Sequence, residues 1–67
     1  MTIGELADKM ERVEELIIKY YDDNMNMERN IDYDDLQRFI ASHPNTEVLR
    51  IFTSSFRIIA QIQNPNR

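Results

Sequence analysis

The sequence predicts an all-α fold: a compact three-helix domain with helices at about 3–24, 32–42 and 46–63. Three observations carry that expectation. One glycine and two prolines leave few breakers in the chain, which favours helix over strands and turns. Helix-start signatures stand at Thr2 and at Asp32. Apolar residues recur at alternating spacings of three and four through the first segment, the seam of an amphipathic helix.

The first helix is marked by its cap. Thr2 and Glu5 have the spacing of a capping box, in which hydroxyl and carboxylate each accept a backbone N–H of the other residue. Met1 and Leu6 fall where a hydrophobic staple would close. Ile3, Leu6, Met10, Val13, Ile17 and Tyr20 then form the seam. Glu5–Lys9, Asp8–Arg12 and Glu15–Lys19 add i,i+4 pairs with the acid first, the favourable order. The polar stretch from Asp22 to Asn30 reads as a connector.

For the second helix, Asp32 is the expected N-cap, with Asp34 and Asp35 in the first turn where the helix dipole favours acids. Ile31 and Leu36 make a second staple, and Tyr33, Leu36, Phe39 and Ile40 an apolar face. Pro44 disfavours helical geometry at His43, so this helix should end near Ser42. The third helix would follow Asn45 or Thr46 and stop before Asn64 and Pro65. Its apolar residues span roughly 180° on a wheel of about 100° per residue. It contains several β-branched residues, so strand is the competing local state. Eighteen residues without a turn signal favour helix.

With 67 residues there is room for one domain, 1–67. A domain this small buries only roughly 60 % of its unfolded surface and needs reinforcement. There is no cysteine, so disulfides and thiolate zinc sites are excluded and self-association is what remains. Charge is uneven. Residues 1–35 hold eleven acidic and four basic residues, residues 36–67 one acidic and four basic, so the halves carry −7 and +3. The N-terminus shows no signal-peptide pattern, and no apolar run approaches the roughly 18 residues of a membrane span. A cytoplasmic protein is expected.

No catalytic apparatus is expected. The single histidine, His43, precedes a proline at a helix end and reads as a turn residue. Asp22, Asn24 and Asn26 match positions 1, 3 and 5 of a calcium loop. Met27 and Tyr33 stand where the glycine and bidentate glutamate would be required. No metal or cofactor is expected, and there is no glycine-rich phosphate loop.

The first and third helices carry more apolar surface than a short second helix can cover. The expected function is therefore a homodimeric protein–protein interaction module, regulatory or inhibitory, that also binds another protein. Its proportions suit phage-encoded or antitoxin-like proteins, an analogy of size only. The candidate interaction residues are Glu14, Ile18, Tyr21, Ile51, Phe56, Ile58 and Ile62. Glu14 falls inside the apolar arc, where it would either sit solvated at the rim of a contact or pair with a cation across it, such as Arg38, Arg50 or Arg57. The alternative is a helix-turn-helix-like DNA-binding regulator, with Arg50 and Arg57 on the polar half of the third helix. Against it, lysine is absent after Lys19 and the chain is acidic, which weakens phosphate attraction.

Overall fold

The computed structural model describes residues 1–66, the side chain of Tyr33 excepted, and it overturns the all-α expectation. The fold is α+β, with two helices and one four-stranded mixed sheet, and is not a helical bundle. The order along the chain is α1 (Ile3–Lys9), a 3-10 turn (Val13–Glu15), β1 (Leu16–Asp22), β2 (Met27–Ile31), α2 (Tyr33–Ser42), β3 (Arg50–Ser54) and β4 (Arg57–Gln61). The sheet order is β2-β1-β4-β3. Two antiparallel hairpins, β1–β2 and β3–β4, meet along a parallel β1–β4 pair at the centre.

The first helix starts as its residues dictate and ends early. The capping box is complete: Glu5 N–H donates to Thr2 Oγ1 at 3.2 Å and Thr2 N–H to Glu5 Oε1 at 2.9 Å. The helix stops at Lys9, and Met10 is already extended. The rest of the expected helix, residues 10–24, about four turns, is instead the 3-10 turn, then β1 and the start of the turn that follows it. Leu16–Asp22 is dense in β-branched and aromatic residues, which fit a pleated, half-buried surface. Its burial alternates: Leu16, Ile18, Tyr20 and Asp22 are buried, and the residues between them are not. An apolar run of this kind can be fitted by a period of 3.6 or of 2, and tertiary pairing decided for 2.

The expected third helix is the β3–β4 hairpin. Its apolar residues spread over half a helical wheel because they belong to two strands with two faces each. The chain reverses at Ser55-Phe56, between the closing pair Ser54 and Arg57. Ser55 takes φ 54°, a positive value at the first turn position that favours glycine. The connector expected from Asp22 to Asn30 is the other hairpin. There Asp22 Oδ1 accepts the N–H groups of Asn24 (3.0 Å) and Met25 (3.3 Å), and Asn26 takes φ 53°. Asn tolerates that region better than most residues.

The second helix lies close to its expected place. Asp32 occupies the N-cap position without a side-chain hydrogen bond, and Asp34 and Asp35 sit in the first turn. The helix ends at Ser42, with His43 N–H bonded to Phe39 O at 2.8 Å. The His43 ring stacks on Phe39, centroids 4.6 Å apart. Arg38 pairs with Asp35 at 3.7 Å, not with Asp34. The side chain of Tyr33, expected on this helix's apolar face, lies outside the described residues.

The helices lie on one face of the sheet, and the core sits between. It comprises Ile3 and Leu6 of α1, Leu16, Ile18 and Tyr20 of β1, Leu36 and Phe39 of α2, and Ala60 and Ile62 at the end of the chain. Full burial of an aliphatic or phenylalanine side chain contributes about 1.5–3 kcal/mol. Ile62 N–H donates to Lys19 O at 2.9 Å, extending the β1–β4 pairing beyond Gln61.

The first turn of α1 is docked on the segment between α2 and β3. Ile3 N–H reaches Thr46 O and Gly4 N–H reaches Pro44 O, both at 2.8 Å, while Val48 N–H returns to Met1 O at 2.8 Å. Leu6 N–H bonds to Thr2 O at 3.0 Å. With Glu5 held by Thr2, every donor that a helix start leaves orphaned has an acceptor. The approach is close enough to need glycine at position 4: a Cβ there would lie 2.8 Å from Pro44 O.

Candidate interaction surface

The sheet face turned away from the helices has no covering layer among the described elements. The strand registers place Ile17, Ile59 and Phe52 side by side across it, a row of three apolar side chains spanning β1, β4 and β3. The next row holds Asn30, Lys19, Gln61 and Arg50. Beyond that, Tyr21 stands opposite Glu28. Lys19 Nζ is 2.9 Å from Glu28 Oε2, and the Tyr21 hydroxyl donates to Asn26 Oδ1.

One edge of this sheet is the more exposed. Every residue of β3 is exposed, including Ile51 at 48 % and Phe52 at 43 %, on opposite faces of the strand. Leu49, just before it, is 52 % exposed, and Phe56 at the hairpin tip 88 %. Leu49 N–H donates to Gln61 O at 2.7 Å although Gln61 is the partner of Arg50. Two residues thus face one, a bulge that ends the strand pairing. Hairpin β3–β4 therefore presents four large apolar side chains to water. Singly exposed apolar residues are ordinary; four on one hairpin make it the candidate contact surface.

The sequence-expected residues are distributed across the fold. Ile51 and Phe56 lie on the exposed hairpin. Ile58 is half-buried on β4 against the core, and Tyr21 is exposed on the outer face of β1. Ile18 and Ile62 are in the core at 0 % and 2 % exposure, with no surface to offer. Glu14 sits in the exposed 3-10 turn, where its carboxylate lies 3.6 Å from Arg12. Arg50 and Arg57 are on strands and not on a helix, which removes the recognition helix that the DNA-binding alternative assumed. Phe52 and Leu49 belong to the surface but were not singled out. The signal for Phe52 was its place beside Ile51 in a β-branched and aromatic run, where adjacent residues face opposite ways.

Elsewhere, an open groove of about 350 Å³ lies between α2 and β2, lined by Tyr20, Arg29, Arg38, Phe39 and His43 among others. Its two arginines already face carboxylates, Arg29 at 3.9 Å from Asp22 and Arg38 at 3.7 Å from Asp35. Asp22, first residue of the calcium-like spacing, uses its carboxylate inside the hairpin turn. Hydrogen bonds from the Thr2 backbone N–H and side chain hold the Glu5 carboxyl below the usual range. That is a helix cap and not a reactive group.

No protein-family model matches the chain, and no similar curated protein or solved structure was found. No helix among the described residues is long and apolar enough to cross a membrane.

Proposed function

We propose that this protein is a small, non-enzymatic interaction module of the cytoplasm, a homodimer with a regulatory or inhibitory role, that works by binding protein through hairpin β3–β4. The observation that carries the reading is the clustering of Leu49, Ile51, Phe52 and Phe56 on one uncovered element. A chain of 67 residues with no cysteine has little other means of adding to its core. The test is molar mass by light scattering on a size-exclusion column across a range of concentration. The expected result is a mass rising towards twice 8.0 kDa. Phe56→Asp should shift the equilibrium to monomer while leaving the circular dichroism and the melt unchanged, because the Phe56 ring is almost wholly in water. A wild-type protein that stays monomeric at high micromolar concentration refutes the homodimer.

A second reading has one observation in its favour. Lys19, Gln61 and Arg50 form a row across the open sheet face, next to Phe52. Cations beside an exposed aromatic suit single-stranded nucleic acid. The net charge of −4 and the Lys19–Glu28 pair weigh against it. Binding to an oligonucleotide that fell with salt and with Arg50→Ala would favour it; no binding at low salt removes it.

A further inference from the structure

We propose that two copies of this chain join along the free edge of β3, antiparallel about a two-fold axis at Phe52, to make one eight-stranded sheet. The proposal rests on the self-association reading above and specifies its geometry.

The backbone of β3 is set up for it. Ser54 and Arg57 close a two-residue hairpin and so exchange hydrogen bonds. Alternation along the strand then directs the N–H and C=O groups of Arg50, Phe52 and Ser54 towards β4. Those of Ile51 and Thr53 point away from the sheet, unpaired by any strand, since β3 is at the edge. A second copy related by a two-fold axis at Phe52 places its Thr53 opposite Ile51 and its Ile51 opposite Thr53. Each pair exchanges two bonds, four in all. Phe52 then meets its own copy at a non-hydrogen-bonded position, where cross-strand side chains come closest.

The side chains agree with that register. Arg50 comes opposite Ser54 of the second copy, so no like charges face each other directly. On the outer face, the row Ile17–Ile59–Phe52 continues into the same row of the second copy. Beyond the strand ends, the hairpin tip with Phe56 comes alongside Leu49 of the second copy, bringing together the two most exposed apolar side chains of the hairpin.

The other edge is guarded against the same pairing. β2 reads Met-Glu-Arg-Asn-Ile, and a two-fold axis at its centre would set Arg29 against Arg29. Charge on an edge strand is the usual device against unwanted pairing, and β3 lacks it at its centre. The sheet therefore has one edge that rejects a copy of itself and one that accepts it.

The test uses the full chain, with two variants and one backbone measurement. Thr53→Pro removes an outward N–H while leaving the bonds to β4 in place, since proline is tolerated where the edge faces solvent. Ile17→Lys alters the outer face two strands away from the axis. Light scattering should show a wild-type dimer, a Thr53→Pro variant weaker by at least about tenfold in association, and an Ile17→Lys variant still dimeric. Hydrogen exchange on the wild type should show the Ile51 and Thr53 amides slowing by at least about tenfold as the dimer forms, which decides the matter even if Thr53→Pro does not fold. A wild type monomeric at every concentration overturns both the pairing and the self-association beneath it. A dimer in which Thr53→Pro still associates, or in which the Ile51 and Thr53 amides exchange at the monomer's rate, overturns the edge pairing alone. If Ile17→Lys is then the monomer, the outer faces are what meet.

Discussion

Replacing Gly4 with alanine sets two effects of opposite sign against each other. In a helix, alanine is preferred to glycine by about 0.8–1.0 kcal/mol. If α1 met only solvent, Gly4→Ala would therefore stabilise the protein. The structure requires the reverse. The added methyl would lie 2.8 Å from Pro44 O and 3.2 Å from Pro44 Cβ, and the first of these is backbone that cannot swing aside. To relieve the contact, α1 must move off the 44–46 segment. That lengthens the Gly4 N–H to Pro44 O and Ile3 N–H to Thr46 O bonds, both 2.8 Å. Overpacking of this kind costs about 1–3 kcal/mol, and each weakened hydrogen bond about 0.5–1.5 kcal/mol. After subtracting the helix preference, the net destabilisation is about 1–5 kcal/mol. For a domain of this size, that lowers the Tm by roughly 4–8 °C per kcal/mol. Urea and thermal melts followed by circular dichroism measure it, with Lys9→Ala on the exposed end of the same helix as the control. A Gly4→Ala protein as stable as the wild type, or more so, would show that α1 does not rest on Pro44.

Two other outcomes follow from local geometry. Glu5 has its pKa lowered from the ordinary value by the Thr2 hydrogen bonds, so the folded state favours its carboxylate. The resulting stability is present above the unfolded pKa, near 4.5, and is lost as pH falls through the lower folded value. Urea midpoints measured from neutral to acid pH should decline in that window, and Glu5→Gln should flatten part of the decline; an identical slope in both proteins refutes the assignment. Ser55→Gly should raise stability by about 0.5–1 kcal/mol, because Ser55 holds φ 54° at a turn position where glycine is unstrained. A lower urea midpoint would show that the Ser55 side chain contributes something the backbone strain does not outweigh.

What could be read from the sequence divides by range. The signals for α2 all lie within its own length or next to it: Asp32 before it, Asp34 and Asp35 in its first turn, Pro44 after it. Local chemistry decided that helix, and it is where the sequence placed it. The start of α1 was legible for the same reason, through Thr2 and Glu5. Its end was not. Glu11 and Arg12 are good helix formers, and the chain leaves the helix because Leu16–Asp22 pairs with strands on both sides. β2 has almost no strand character of its own and owes its state to β1. The β3–β4 reversal was hidden because Ser55-Phe56 lacks the glycine or asparagine that usually announces a two-residue turn. The candidate surface followed suit. The quantity of surplus apolar surface could be counted, but its location could not. A helical wheel and a pleat sort the same residues differently, which is why Ile18 and Ile62 are core while Ile51 and Phe56 are in water.

The parallel pair at the middle of the sheet has a consequence for how the chain reaches its fold. β1 and β4 are the strands on which everything else rests, yet the whole of β2, α2 and β3 lies between them in sequence. Their contacts close a long loop, Leu16 pairing with Ile58, and the entropy of that closure must be met before the pairing yields anything. The hairpin β1–β2 and the helices can form early from nearby residues. Until Arg57–Gln61 arrives, however, the inner row of Leu16, Ile18 and Tyr20 borders an open strand edge. Folding therefore waits on β4, and β1 is the segment left vulnerable to a wrong partner in the interval.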